Sequence, residues 1–448
     1  MSRTSASPPP SGGWDRIGAM LLGGPTGYGF MVLYAAITSA LLLGNNRTSL
    51  FTDIVFIFFL LFALLVYRAK VVLPFKLLMG VLTFGVVLPY FGTLNPFYID
   101  VATQAGIYVA LALGLNVVVG FAGLLDLGFV AFYAVGAYLW AIVSTPQITN
   151  IFPSLGPVPA GWFYVFILLG LVVGGGFGVL LGLPVLRLRG DYLAIVTLGL
   201  GEVIRVLAVN LDKPVNITNG AQGIKDIERP PIPFEAALLE ATGLDQNALY
   251  QLFFYFLVLL LVLITVFVVR RLKVSRIGRA WTAIREDETA AIAQGIPLVR
   301  MKLLAFAVGS SFAGAMGVVF AAKQLFINPP TFDLLRSISI LSMVILGGLG
   351  NIPGVVLGAI LVTLLNLMIL PRVATVLRQM QDSGVPIPEA FDPTQYQRLL
   401  FGLLLIVMMI FRPEGILPED RRRQELHEDE PEIVDEGGDG KEVQASAG

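Results

Sequence analysis

The side chains most able to do chemistry in this chain are three ionisable groups that lie inside apolar stretches: Asp126, Glu202 and Arg205. A charge within an apolar span is costly, and it usually faces the interior of a helix bundle or water. Glu202 and Arg205 are three residues apart, so on a helix they share a face and can pair. This spacing favours a structural ion pair over a direct role in carrying a polar solute, and it leaves Asp126 as the best candidate for such a role.

Other reactive side chains are scarce. The chain has no Cys, and its one His is His427 in an acidic C-terminal stretch. Thiol nucleophiles, disulfides and zinc sites built from Cys or His are therefore excluded from the apolar regions. A GxxxxGK[ST] phosphate loop is also missing, so the chain cannot bind ATP in the Walker manner. We expect no metal and no resident cofactor, and an enzyme is the least favoured class.

The composition indicates what positions these groups. The residues are 56% hydrophobic and 14% charged, against about 25% charged in an ordinary soluble domain. Apolar runs of about 20 residues, the length that spans a bilayer, recur along the chain. The runs are continuously apolar instead of alternating, which favours helices over a barrel. The predicted fold class is therefore an all-α polytopic membrane protein.

Twelve apolar segments can be read from the sequence, and several are too short or too Gly-rich to be simple full spans. We expect about ten transmembrane helices with some broken or re-entrant pieces. The segments are 28–44, 50–67, 72–91, 97–119, 120–143, 162–183, 191–210, 249–269, 303–322, 337–350, 354–370 and 397–411.

The two ends of the chain differ from this apolar body. Residues 1–27 are rich in Pro, Ser and Gly and predict a flexible tail, whereas residues 418–448 are acidic and predict disorder. Residues 28–96 carry additional N-terminal transmembrane helices. Asp53 lies near the end of one of them and is expected to be merely hydrated.

Two Gly-rich stretches interrupt the apolar pattern. Either could allow close helix packing, or it could break a helix and expose backbone polar groups to a path for the solute. The similar glycine spacing is what an internal repeat would give, although two independent packing faces would give it equally well. The residues that could line a translocation path are Gly120, Gly123, Asp126, Gly128, Glu202, Arg205, Gly347, Gly350 and Gly354.

Residues 270–302, called the charged loop from here on, separate two apolar runs and predict two amphipathic helices. Ile277, Trp281, Ile284, Ala291 and Ile292 form the apolar side. Asp287 can cap the second helix and Glu288 favours its positive end, while Gly295 suits a left-handed exit and Pro297 prevents continuation. The loop either lies on the lipid surface or docks into a cytosolic protein.

Charge predicts the sidedness. If every segment crosses and the charged loop is cytoplasmic, both termini are cytoplasmic too, and most Lys and Arg residues fall on the inner side, as the positive-inside rule requires. Residues 211–248 then form an outer loop. Its several prolines and three basic residues make it a candidate docking surface for an external partner.

Five ordered motifs resemble the LivM-type permease of branched-chain amino-acid ABC importers. The resemblance covers about residues 97–417. The motifs are PVLRLRGDYLAIVTLGLGEVIR, TNGAQGI, GRAWTAIREDETAAIAQGI, MVILGGLGNIPGVVLGA and FRPEGIL.

The resemblance implies an ABC importer permease fold in a bacterial plasma membrane. It also implies a homologous second permease, two cytosolic ABC ATPase subunits and an external substrate-binding protein. Within the charged loop, Thr289 stands where the wider importer pattern has Glu, and the usual downstream Ile-x-Leu-Pro is not at its expected spacing. The residues expected to couple to the ATPases are Gly278, Arg279, Trp281, Ile284, Glu286, Asp287, Glu288, Ala290, Ala291 and Gly295.

The expected function is translocation of leucine, isoleucine or valine by alternating access, without covalent chemistry in this chain. A permease for urea or short amides shares the Gly-rich motifs and is the nearest alternative. A secondary transporter that works without ATP is a second alternative, but it leaves the capped charged loop unexplained.

Overall fold

A computed structural model describes residues 24–44, 49–69, 71–185 and 191–383, with positions 399, 402, 403, 406, 407, 410, 411 and 415–417. Its regular elements are helices. In chain order they are α1 (Gly24–Gly44), α2 (Leu50–Arg68), α3 (Leu73–Leu94, π-helical over Val81–Val87), α4 (Pro96–Asn116, extended by a π-helical turn, Val117–Phe121), α5 (Val130–Val143), α6 (Gln147–Ile151), α7 (Phe163–Val185), α8 (Asp191–Asn210), α9 (Glu235–Thr242), α10 (Gln246–Lys273), α11 (Arg276–Glu286), α12 (Glu288–Ala293), α13 (Leu298–Gln324), α14 (Leu334–Gly347), α15 (Ile352–Leu364) and α16 (Leu370–Asp382).

Ten helices in the described part of the chain are long and apolar enough to cross a membrane. The prediction of an all-α polytopic protein with about ten crossings is thus confirmed. Segment 120–143 is not one continuous helix, because α4 ends at Phe121 and α5 begins only at Val130. Most of segment 397–411 and nearly all of the predicted tails, 1–27 and 418–448, lie outside the described residues.

Helix α13 lies at the centre of the bundle because small residues let its neighbours approach closely. A Cβ on Gly314 would overlap the carbonyl oxygen of Gly170 on α7, and one on Gly136 of α5 would overlap that of Gly314. A Cβ on Gly114 of α4 would lie 2.8 Å from the carbonyl oxygen of Gly309. These positions allow no side chain, so α4, α5 and α7 all pack directly on the α13 backbone.

Asp53 attaches the N-terminal helices to this bundle. Its Oδ1 accepts a hydrogen bond from the Tyr98 hydroxyl at 2.7 Å, and its Oδ2 pairs with Nε of Arg372 at 2.5 Å. The residue is buried, so the expectation that it is merely hydrated was wrong. A buried carboxylate requires a partner, and here the partners come from α4 and α16, far away in the sequence.

Candidate functional site

The charged loop folds as two short helices, as its sequence predicts. Ser275 begins α11 by accepting a hydrogen bond from the Gly278 amide. Trp281 and Ile284 are buried, and the indole Nε1 of Trp281 donates to the carbonyl oxygen of Met301 at 2.8 Å. A Cβ on Gly278 would overlap the carbonyl oxygen of Leu272. Helix α11 is therefore fixed against the start of α13.

Helix α12 has the predicted caps. Asp287 accepts hydrogen bonds from the amides of Thr289 at 2.6 Å and Ala290 at 3.1 Å. These bonds, that of Ala290 first, lower the pKa of the Asp287 carboxyl below its usual value. Gly295 takes the left-handed conformation at φ +80°, and Glu288 pairs at 2.5 Å with Lys302, whose side chain is buried.

The two helices divide their side chains between a packed face and an open face. Ala291 is 1% exposed, so it packs inside the loop and is not available to a partner. Ile292, which the sequence places on the same apolar side, is 50% exposed. The open face of the charged loop also includes Arg279, Glu286, Asp287, Ala290 and Gly295.

The first Gly-rich stretch breaks the chain between α4 and α5, and residues 120–129 are called the first break from here on. Gly123 has φ +71°, a conformation that residues with a Cβ rarely adopt. Asp126 is buried, and its Oδ1 accepts a hydrogen bond from the Gly128 amide at 2.9 Å. Its Oδ2 is buried without a hydrogen-bond partner in the described structure. The carboxylate lines a small cavity with Phe132, Thr197, Leu200 and Phe306 among its neighbours.

The second Gly-rich stretch, residues 347–354, is called the second break and turns the chain from α14 into α15. Gly348 and Gly350 have φ +112° and +81°. Gly347 and Gly354 face each other so closely that a Cβ on either would overlap the carbonyl oxygen of the other. The Leu417 amide donates to the Gly347 carbonyl at 3.2 Å. Backbone therefore packs directly on backbone at both ends of this break.

The two breaks lie against each other, which their separation in the sequence did not reveal. Asn116, fully buried at the end of α4, accepts a hydrogen bond through Oδ1 from the Gly350 amide at 2.9 Å. A Cβ on Gly120 would lie 2.6 Å from the same amide nitrogen. The two breaks therefore form one continuous layer of backbone.

Two cations of the charged loop bind this layer. Arg285 on α11 donates through Nη1 to the carbonyl oxygen of Gly120 at 2.7 Å. Lys273, at the end of α10, donates through Nζ to the carbonyl oxygen of Gly350 at 2.8 Å. Hydrogen bonds from charged donors are among the stronger ones in proteins. Arg285 thus ties the loop to the first break, and Lys273 ties it to the second.

Glu202 and Arg205 lie on α8, apart from these contacts. The Arg205 guanidinium pairs with the Glu202 carboxylate, with Nη2 and Oε1 separated by 2.5 Å, so the predicted ion pair is confirmed. On another side of α8, a Cβ on Gly201 would lie 2.9 Å from the Cα of Gly128. Gly201 of α8 packs on the first break, whereas Glu202 and Arg205 pair with each other.

Sequence reasoning missed Asn116, Lys273, Arg285 and Lys302. A polar amide inside the apolar run of α4 was a usable signal for Asn116, because such a group requires a partner in lipid. Lys273 and Arg285 read only as part of the polar side of the loop. Their targets are backbone carbonyls, which have no signature in the sequence.

Comparisons with known proteins agree with this architecture. A family model described as "Branched-chain amino acid transport system / permease component" matches residues 97–409. The chain belongs to this permease family. It is 38% identical over 362 residues to the high-affinity branched-chain amino acid transport system permease protein LivM of Salmonella typhimurium, covering 78% of this chain and 76% of that protein.

More distant relatives extend the comparison. The probable LivM of Methanocaldococcus jannaschii is 26% identical, covering 70% of this chain and 91% of the relative. The permease protein LivH of Salmonella typhimurium is 23% identical, covering 70% of this chain and 92% of the relative. No solved structure matches the chain significantly. The chain is thus a LivM-type transport permease and a multi-pass membrane protein.

Proposed function

We propose that this chain is one of two membrane subunits of an ATP-driven importer for leucine, isoleucine and valine in a bacterial plasma membrane. A homologous permease forms the second membrane subunit, two ABC ATPases bind on the cytosolic side, and an external binding protein delivers the substrate. Similarity to LivM and LivH relatives supports the substrate class and the permease pair.

The observation that carries the proposal is the pair of hydrogen bonds from the charged loop to the two breaks. Arg285 and Lys273 bind the carbonyl oxygens of Gly120 and Gly350. A displacement of α11 therefore acts directly on the first break, and a displacement of the end of α10 acts directly on the second. A loop that merely lay on lipid would not need contacts with the bundle interior.

The same contacts suggest how a movement of the ATPases reaches the breaks. Closure of the ATPases moves the charged loop as a rigid unit, because Trp281 and the Lys302–Glu288 pair hold it to α13. Most of the first break, residues 122–129, is backbone without regular helix between α4 and α5, and such places absorb changes in dihedral angles. Its rearrangement would open the path to one side of the membrane and close it to the other.

The candidate path needs few fixed charges. A branched-chain amino acid requires an apolar surface and a few dipoles for its ammonium and carboxylate groups. The first break offers both, since Asp126 and Gly128 line a small cavity with Phe132, Leu200 and Phe306. Gly120, Gly123, Gly128, Gly347, Gly350 and Gly354 stay candidates for positions that let a solute pass.

The open face of the charged loop gives a direct test. Ile292 is half exposed on α12 although it is apolar, as expected of a residue that another protein covers. We expect Ile292→Glu to lower ATP-driven uptake of leucine by proteoliposomes at least about tenfold, because burying a charge at an interface hot spot costs about 2 kcal/mol or more. The control is Ile292→Leu, which keeps the apolar contact and should retain uptake.

Two results would contradict the proposal. If the complex with Ile292→Glu imported leucine and hydrolysed ATP at wild-type rates, the charged loop would have no docking role. Accumulation of leucine by liposomes that contain this chain alone, without ATPase subunits, would remove the ATP-driven class altogether.

A further inference from the structure

Helix α8 carries an ion pair where a membrane helix should not expose one. The side chains of Glu202 and Arg205 are 45% and 30% exposed. At 1.5 Å per residue, Glu202 lies about 17 Å from the start of α8 and about 12 Å from its end. The pair is therefore near the middle of a hydrocarbon core about 30 Å thick.

Lipid is a poor neighbour for this pair. Charged side chains within spans face a bundle interior or a water-filled cavity. Glu is too short to reach either membrane surface from this depth, and Arg205 is held to it by hydrogen bonds from Nε and Nη2. Within the described residues the guanidinium makes no other hydrogen bond, and Asp333 is the other carboxylate that acts on it.

The rest of the same helix side is open as well. Tyr192, Ile195, Val203 and Val206 are exposed, and a Cβ on Gly199 would have no atom within 4 Å. Of the ten candidate spans, α8 has the smallest buried share, 22%. An open glycine beside exposed side chains lets the backbone of another helix approach closely. We call this surface, Tyr192, Ile195, Gly199, Glu202, Val203 and Val206, the α8 face.

We propose that the α8 face is the surface on which the second permease subunit packs, with the Glu202–Arg205 pair at one edge of the contact. The proposal rests on the proposed function in assuming a permease pair. The pair has no net charge, so a partner needs hydrogen-bonding groups instead of an opposite charge. A subunit packed on this surface would offer hydrogen-bonding groups to both side chains and remove their exposure to lipid.

A LivH-type permease is the occupant that the comparisons favour over a second copy of this chain. Relatives named LivM and LivH carry the same transport-system name in one organism, and the chain is similar to both. The opposite side of α8 packs on the first break through Gly201. A subunit on the α8 face would thus lie one helix away from the candidate path.

Photo-cross-linking tests the contact. Benzoylphenylalanine replaces Ile195 on the α8 face, 64% exposed, or Val172 on α7, 70% exposed, as the matched control. The complex is purified with a differently tagged LivH-type permease and irradiated. We expect an adduct with the tagged permease at Ile195, at least about fivefold above that at Val172. Equal adducts at both positions, an adduct with a second copy of this chain, or one within the chain would overturn the proposal.

A charge swap tests the ion pair separately. Glu202→Arg combined with Arg205→Glu keeps the pair within α8 but reverses the groups presented outward. We expect the isolated double variant to be as stable as the wild-type chain. The amount of second permease that co-purifies with it should fall at least about tenfold. Full recovery of the complex by the swap would show that the pair acts only within this chain.

The two proposals fail in different ways. A complex that gives the Ile195 adduct but shows no ATP-driven uptake contradicts the proposed function and keeps the α8 face. A complex that imports leucine but gives its adduct only at Val172 contradicts the α8 face and keeps the proposed function.

Discussion

The two breaks share a design but differ in how firmly they are closed. Each ends a long apolar helix, contains glycine at positive φ, and offers a carbonyl oxygen to a cation of the charged loop. The second break is short and is closed by the backbone of Gly354 and Leu417. The first break is longer, and it keeps a buried carboxylate oxygen without a partner beside a cavity.

This difference indicates a division of labour. In the second break, where backbone packs directly on backbone, neither segment can shift without losing contacts. A longer break with a cavity has room to change its dihedral angles. We therefore expect the second break to act as a fixed anchor and the first break to move during transport.

The largest effect is expected at the anchor. In Gly347→Ala the new methyl group would overlap the Gly354 carbonyl, and neither backbone can give way. Overpacking typically costs about 1–3 kcal/mol and more where nothing can relax, so the variant should fail to give a monodisperse, thermally stable protein in detergent. The control is Gly80→Ala, where nothing lies within 4 Å of the new atom. A melting temperature for Gly347→Ala equal to that of Gly80→Ala would contradict the anchor.

A smaller loss of stability with a distinct loss of uptake is expected at the first break. Gly123→Ala places a Cβ at positive φ, which costs about 1–2 kcal/mol, and puts it 2.9 Å from Cγ of Arg285. Gly243→Ala is the matched control, because Gly243 has φ +64° with open space around it. Both variants should lose similar thermal stability, and Gly123→Ala alone should lose leucine uptake. Equal leucine uptake by the two variants would show that the contact between Gly123 and Arg285 plays no part in transport.

The smallest effect concerns the cap of α12. Backbone hydrogen bonds lower the pKa of Asp287, so its contribution to stability is present above its unfolded pKa of about 3.9 and is lost as pH falls through the lower folded value. Wild type should therefore melt higher than Asp287→Asn at pH 7, and the gap should close only below about pH 4. If the difference in melting temperature closed at pH 6, a titrating group other than Asp287 would be responsible for it.

Much of this architecture was predictable because its causes are local. Apolar runs predict spans, Asp287 and Gly295 predict the ends of α12, and the spacing of Glu202 and Arg205 predicts their pair. The contacts that join distant parts were not predictable. Asn116 meets Gly350, and Asp53 meets Arg372, across more than 200 residues, and no periodic pattern connects such positions.

The similar glycine spacing of the two breaks was a weak signal of a repeat. The two stretches touch each other, and their origin in one repeat stays a prediction. Their common contact with the charged loop depends on Lys273 and Arg285, which the sequence presents as two charges among many. Burial and geometry, not residue type, distinguish them.

The most direct test of the account measures ATP hydrolysed per leucine imported in the reconstituted complex. Hydrogen bonds from charged donors contribute about 1.5–3 kcal/mol, so Arg285→Met and Lys273→Met should each raise this ratio about tenfold or more. Arg276→Met, at an exposed residue that begins α11, serves as the control and should leave it unchanged. A wild-type ratio in both Arg285→Met and Lys273→Met would contradict the claim that the charged loop acts on the breaks through these two side chains.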